Sequence, residues 1–144
     1  MKCIGGHILA VVIVACSITG CAAIPADVSG SDYRSRAVTR VEGALPLPAA
    51  VLPARETAAV YGVPLAKKKI QPVWIEVRNN DDRNYFLLST GMDPNFFPAP
   101  EGAEAFADGA SQDDAARLDA RFGALAFRNP IPPGETVSGF VRSS

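Results

Sequence analysis

Histidine and cysteine are scarce in this sequence, and the few that are present lie close to its N-terminus. The chain has one histidine, His7, and three cysteines, Cys3, Cys16 and Cys21. Downstream of Cys21, catalysis by a Ser-His-Asp triad, a Cys-His dyad or an imidazole base is therefore excluded, as is zinc held by cysteine or histidine. Beyond this point we expect a non-enzymatic chain with no resident cofactor and no metal centre.

An excess of charge of one sign is lacking as well. The 14 lysines and arginines are balanced by 15 aspartates and glutamates, so the sequence has no basic footprint for nucleic acid. The one basic cluster is Lys67, Lys68 and Lys69. We interpret it as a solvated turn that leads into a strand, and the alternative is contact with anionic lipid headgroups.

No hydrophobic run is long enough to cross a membrane. Residues 8–18 are apolar apart from Cys16 and Ser17, whereas a membrane-spanning helix needs about 20 mostly apolar residues. A basic residue, Lys2, precedes this short run and small residues end it, which is the pattern of a secretory signal peptide. We therefore predict a signal peptide at residues 1–20.

The end of this segment, ITGC at residues 18–21, resembles a bacterial lipobox. The resemblance implies that the Cys21 thiol receives a diacylglycerol and that the chain is cleaved just before it, and two or more acyl chains anchor a protein firmly. IVAC at residues 13–16 is a competing register, but Cys21 leaves the longer apolar region. In Gram-negative lipoproteins of this type an aspartate after the cysteine favours the inner membrane, so Ala22 implies the outer membrane, facing the periplasm.

For the rest of the chain we predict a tether followed by one domain. Residues 21–36 are mostly small and polar, which predicts a flexible tether. Residues 37–144 are long enough to bury a core without disulfides.

Alternating and proline-rich stretches predict strands. Residues 70–79 alternate apolar and polar side chains, as a half-buried strand does. A polar turn follows, and we expect residues 85–88 to complete an antiparallel hairpin. Residues 136–142 read as a last strand. Three prolines at residues 43–53 predict an extended segment or an edge strand.

Helices are predicted at residues 55–61, where Gly62 ends the pattern, at residues 101–106, and after Ser111, which is placed to cap. The last helix has one apolar face, formed by Leu118, Phe122 and Leu125. We expect a mainly β fold, a small immunoglobulin-like β-sandwich with one or two short helices inserted before the last strand. The alternative is an open α+β sheet.

Trp74, Phe96 and Phe97 form a candidate ligand or partner surface, because exposed aromatic rings often bind sugars or peptides. The alternative is that they belong to the core or to an interface.

Two pairs of neighbouring carboxylates are further candidate sites. Asp81 and Asp82 follow two asparagines, but their spacing does not fit a helical calcium loop, so a solvated turn is favoured. Asp113 and Asp114 point about 100° apart on a helix, which suits a helix start better than a catalytic pair.

Three stretches carry a resemblance to a known group: YGVPLAKKKIQPVWIEVRNN at residues 61–80, MDPNFFP at 92–98 and FRNPIPPGETVSGFV at 127–141. They resemble bacterial lipoproteins, in particular the N-terminal region of those with a domain named after LssY, a protein associated with secretion. The resemblance implies class and location and brings no catalytic residues. Such proteins continue past the last strand, and one interpretation is that this chain is a truncated product.

The leading hypothesis is a lipid-anchored envelope lipoprotein that acts as an interaction module for an envelope protein or another envelope component. One alternative is an accessory N-terminal part of an envelope- or lipid-processing protein whose catalytic region is absent here, and another is a carbohydrate-binding module. We also expect the strand at residues 136–142 to be an open sheet edge that pairs with a further strand.

Overall fold

The computed structural model describes residues 31–42, 45–92 and 94–144. Its strands are β1 (Val38–Glu42), β2 (Leu45–Val51), β3 (Gln71–Arg78) and β4 (Thr136–Ser143). Its helices are α1 (Ser31–Arg36), α2 (Ala54–Tyr61), α3 (Ser89–Met92), α4 (Ala99–Glu104) and α5 (Gln112–Leu125), and a 3₁₀ turn spans Leu65–Lys68.

The strands form one antiparallel sheet in the order β1-β2-β3-β4. β3 and β4 pair over their full lengths, from Gln71 opposite Ser143 to Arg78 opposite Thr136. A sandwich needs a second sheet, and the described residues form a single one, so the preferred expectation of an immunoglobulin-like sandwich is not met. The observed fold is the alternative, an open sheet with helices, and α4 and α5 precede the last strand as expected.

The proline-rich segment is extended, as predicted, and the alternative of an edge strand is not met. β2 lies between β1 and β3. Pro46 and Pro48 have no backbone N–H to donate to a neighbouring strand. The ladder between β2 and β3 begins only after them, at Ala49, so the sheet accommodates the prolines by limiting this pairing.

Helices cover one face of the sheet, and the main core lies between them. Trp74 of β3 is opposite Phe140 of β4 on this face, and both are buried. Tyr61 of α2 packs edge-on against Phe122 of α5, with ring centroids 4.8 Å apart, and against Phe140 at 5.8 Å. Edge-to-face aromatic pairs of this kind add to the stabilisation from buried area.

The predicted helices are present. Gly62, with φ of 75° in the left-handed region, ends α2, and α4 begins two residues before its predicted start. The Ser111 hydroxyl accepts a hydrogen bond from the backbone N–H of Asp114 at 3.2 Å, which confirms the predicted cap. The predicted apolar face of α5 is confirmed too, since its three members, Leu118, Phe122 and Leu125, contribute to the core.

The predicted hairpin after β3 is wrong. Residues 85–88 do not form a strand, and Tyr85 makes an isolated bridge to Ile131. The N–H of Tyr85 donates to the carbonyl of Ile131 at 3.0 Å, and the reverse bond is 2.8 Å. β4 pairs with β3 over its full length on one side, and β2 lies on the other side, so residues 85–88 do not add to β3.

The last six residues of the predicted tether are helical and belong to the folded part. α1 buries Tyr33, whose ring centroid lies 5.7 Å from that of Trp74. Two ion pairs fix this helix on β3 and α2: Arg34 with Glu76, and Arg36 with Glu56. The remainder of the predicted tether, residues 21–30, and the predicted signal peptide at residues 1–20 lie outside the described residues.

Candidate functional site

The sheet face opposite the helices is aliphatic. The register places Ala49 of β2 beside Ile75 of β3, and Val73 of β3 beside Val141 of β4. Successive side chains of a strand point to opposite faces, so these four lie on the face away from Trp74, where Ile75 is already buried and the other three are half-buried. We call this surface the aliphatic face.

A groove of about 190 Å³ runs over the aliphatic face from β2 to β4. Ser89 of α3 and Phe96, which forms a backbone bridge with Ser143, contribute to its lining. The apolar lining residues are Leu47, Ala49, Val73, Ile75, Phe96 and Val141, and the polar ones are Ser89, Arg142 and Ser143. None of these is an acid, a histidine or a cysteine. This aliphatic groove is therefore suited to bury apolar groups, at about 25 cal/mol per Å² removed from water, and not to acid–base chemistry.

β1 is an edge strand beside this groove. Val38, opposite Ala49 on the aliphatic face, is 70% exposed, and Val41 on the other face is 71% exposed. Among the described residues, no strand pairs with the outer side of β1. An edge of this kind is a template for a further strand.

β4 is the last strand of the sheet, but its outer edge is not the open edge expected from the sequence. The N–H of Phe97 donates to the carbonyl of Arg142 at 2.8 Å, and the N–H of Phe127 donates to the carbonyl of Phe140 at 3.0 Å. The N–H of Ser144 is bonded to Asn95. Because these loops occupy backbone groups along the C-terminal half of β4, the edge that is open over its full length lies at the opposite side of the sheet, on β1.

A glycine makes this covering of β4 feasible. A Cβ atom at Gly139 would lie 2.6 Å from the Cα of Phe127 and 2.7 Å from its nitrogen. No side chain fits at that distance, so the chain after α5 can pass close to β4 only where the strand carries glycine.

The structure does not bring the three candidate aromatics together. Trp74 is 0% exposed within the helix-covered core, and its indole N–H has no acceptor among the described residues. Phe97 packs against the same core, whereas Phe96 lines the aliphatic groove. Trp74 therefore offers no surface to a ligand, and only Phe96 borders a groove.

Arg142 is a buried charge that the sequence reading missed. It is 3% exposed, its Nη1 donates to the Tyr61 hydroxyl at 3.3 Å, and its Nε donates to the Phe97 carbonyl at 3.3 Å. Burial raises the pKa of Tyr61, and the nearby guanidinium opposes this increase. The sequence did contain an indication that Arg142 would be buried, since it is two residues from Phe140 and therefore lies on the same face of the strand.

The acidic turn after β3 is arranged around a buried asparagine. The Asn79 side chain is 0% exposed and donates to the carbonyls of Arg83 at 2.8 Å and Ile131 at 2.9 Å. The Tyr85 hydroxyl donates to Asp81 at 2.7 Å and lowers the pKa of that carboxyl, as do the neighbouring backbone bonds. Among residues 31–42, 45–92 and 94–144, no three or more acids, histidines or cysteines are grouped as metal ligands.

The basic cluster forms an exposed turn that leads into β3, as predicted. Leu65 and Ile70, on either side of it, are buried, and Lys69 adopts a left-handed conformation with φ of 60°. Lys67, Lys68 and Lys69 are exposed. In the part of the chain that the structure describes, none of them has a carboxylate within 4 Å.

The predicted lipidation site, Cys21, and its competitor Cys16 lie outside the described residues. No helix within the described ranges has the length and apolar character needed to cross a bilayer.

No protein-family model matches this chain, and searches of curated proteins and of solved structures also find no significant match.

Proposed function

We propose that the protein is a lipoprotein of the bacterial cell envelope, anchored through Cys21 to the outer membrane, and that it acts as a non-enzymatic interaction module. Its ligand in this proposal is an extended apolar segment of an envelope protein. The lipobox-like stretch at residues 18–21 supports the anchor. The open edge of β1 beside the aliphatic groove supports the binding role.

The binding role rests on one observation: the open edge strand β1 lies directly beside the aliphatic groove. Val38 of β1 is opposite Ala49, which lines the groove. A segment that adds to β1 would gain backbone hydrogen bonds from the edge, while every second side chain would project on the groove side of the sheet, next to Val38. Backbone pairing gives affinity, and apolar residues are favoured where the segment reaches past Val38 toward the groove.

Carbohydrate binding is less well supported. Sugar sites use exposed aromatic faces. Trp74 is enclosed in the core, Phe97 packs against that core, and Phe96 lines the aliphatic groove, so the three rings do not form one surface. The accessory-part alternative makes a separate prediction, a gene that reads on past Ser144.

The anchor is tested by metabolic labelling with palmitate in a Gram-negative host. We expect Cys21→Ser to abolish labelling and Cys16→Ser, the matched control, to retain it. Palmitate that persists on the Cys21→Ser protein would place the anchor elsewhere.

The binding role is tested by site-specific photocrosslinking of the full-length protein in its own envelope. A photoreactive residue at Val38 or Val41 should give a discrete adduct in which the crosslinked partner peptide is extended and apolar. Ala116, which is exposed on α5 and lies away from the aliphatic face, is the control position. Adducts that are the same from all three positions would argue against β1 as the interaction edge.

A further inference from the structure

We propose that the basic turn formed by Lys67, Lys68 and Lys69 rests on the anionic phospholipid headgroups of the membrane that anchors the protein. This inference depends on the proposed anchor at Cys21 and adds an orientation to it. These three residues are the only lysines in residues 21–144, so the whole ammonium charge of that region lies in one turn.

Within the described part of the chain, no ion pair balances the positive charge of this turn. Among the described residues, ion pairs engage four arginines with neighbouring acids: Arg34, Arg36, Arg83 and Arg117. The lysines have no such partner, and all three are exposed. Three adjacent cations without internal counter-charges attract an anionic surface, and each contributes about fivefold to binding when it reaches the surface.

The turn holds the lysines on a firm base. Leu65 and Ile70 are buried on either side of it. The backbone is closed by hydrogen bonds from the N–H of Lys69 to the carbonyl of Ala66 at 3.1 Å and from the N–H of Ile70 to the carbonyl of Leu65 at 3.2 Å. The ammonium groups therefore project from a fixed position, which gives the domain a defined side to present.

The position of the turn relative to the start of the folded chain suits this role. Arg36 at the end of α1 pairs with Glu56 in the first turn of α2. The same turn of α2 supplies Ala54 and Thr57 to a groove that Lys69 also lines. α1, to which the lipid tether leads, and the lysine turn are thus both attached to the first turn of α2.

The length of the tether keeps the turn within reach of the membrane. Nine residues, 22–30, lie between Cys21 and Ser31, and the ten Cα–Cα steps that join the two span at most roughly 35 Å when fully extended. A short tether of this kind holds the turn near the headgroups at a millimolar effective concentration, which adds to the attraction of the three lysines. Lysine also suits mobile headgroups, because it is a flexible point charge and does not need the fixed geometry that arginine prefers.

The test uses the full-length acylated protein reconstituted into vesicles of phosphatidylcholine, with or without phosphatidylglycerol. The rate of lysine modification by an amine-reactive ester is measured by mass spectrometry, together with hydrogen exchange at residues 65–71. We expect both to be at least about fivefold slower on the anionic vesicles. The protection should disappear at 1 M salt, where the Debye length falls to about 3 Å.

Two variants with the same loss of charge separate a local contact from general attraction. K67Q/K68Q/K69Q should remove the lipid-dependent protection of residues 65–71 from hydrogen exchange. R40Q/R78Q/R128Q, which neutralises three exposed arginines and keeps the lysines, should preserve it.

Three results would overturn the inference. The lysines could react equally fast on both vesicles, the arginine variant could lose protection as fully as the lysine variant, or inorganic phosphate with neutral vesicles could protect the turn equally well. In each case palmitate labelling of Cys21 stays an independent readout, so loss of the lysine contact does not count against the anchor. Absence of labelling counts against the proposed function itself.

Discussion

The guanidinium of Arg142 and the hydroxyl of Tyr61 form a hydrogen bond of 3.3 Å that joins the last strand to the second helix inside the core. Both side chains are buried. The guanidinium also lies over the ring of Phe122, 5.8 Å from its centroid. This one residue of β4 thus contacts both α2 and α5. Three predicted elements meet at a side chain that the sequence analysis did not single out.

Truncation of this side chain should weaken the fold. We expect Arg142→Ala to lower the free energy of unfolding by about 2–4 kcal/mol, because it removes the packed stem and leaves the Phe97 carbonyl without this donor. Arg142→Met keeps the volume and should lose less. Denaturation followed by the fluorescence of Trp74, the only tryptophan, measures this. Arg128→Ala on the surface should change it by less than about 0.5 kcal/mol, and an equal loss in both alanine variants would contradict the prediction.

The raised pKa of Tyr61 predicts a loss of stability in alkali. Burial favours the neutral phenol in the folded state. This stability is therefore fully present below the ordinary tyrosine pKa of about 10 and is lost as the pH rises above it, through the higher pKa of the folded state. The melting temperature of the wild type should fall more steeply above about pH 10 than that of Tyr61→Phe. Parallel curves would show that Tyr61 does not contribute.

Asn79 should be the most sensitive residue of the acidic turn. Its side chain bonds the carbonyls of Arg83 and Ile131 and accepts from the N–H of Asp81 at 2.9 Å. Asn79→Ala leaves these groups without partners and should cost about 2–3 kcal/mol. Asn84→Ala, at an exposed position of the same turn, should cost less than about 0.5 kcal/mol. Similar urea midpoints for the two variants would refute the role of the buried amide.

Two glycines should respond to alanine with opposite signs. A Cβ at Gly139 meets the backbone of Phe127, whereas one at Gly123 meets nothing within 4 Å. We expect Gly139→Ala to destabilise by more than about 1 kcal/mol, since the loop over β4 must move. Gly123→Ala, within α5, should stabilise by up to about 1 kcal/mol. If Gly139→Ala unfolds at the wild-type denaturant concentration, the close approach to Phe127 is not required.

Local patterns predicted the elements whose causes are local. The alternation at residues 70–79 marks β3, the Ser111 hydroxyl caps α5, and Gly62 takes up the left-handed conformation that ends α2. Each depends on a few neighbouring residues, so the sequence alone was sufficient. The patterns failed where a distant strand decided the outcome: residues 85–88 have strand-like composition, but β2 and β4 already occupy both sides of β3.

The candidate site shows the same division. The sequence singled out Phe96 and Trp74 as aromatic, but composition cannot tell which ring will be covered. The packing of Tyr33 against Trp74 removes the latter from the surface, and this requires α1, a helix within a segment read as a tether.

By itself the sequence determined the balance of charge, the confinement of its lysines beyond Cys21 to one turn, the lack of histidine and cysteine beyond that residue, and most helix and strand positions, because these follow from composition and from interactions between near neighbours. Tertiary structure alone decided that the described strands form one open sheet, that its free edge is β1, and that residues 95–97 and 127 cover the C-terminal half of the β4 edge. The physical reason is that the backbone N–H and C=O groups at a strand's edge are paired by the segment that packs beside them in the folded chain. Separation along the sequence does not specify which segment that is.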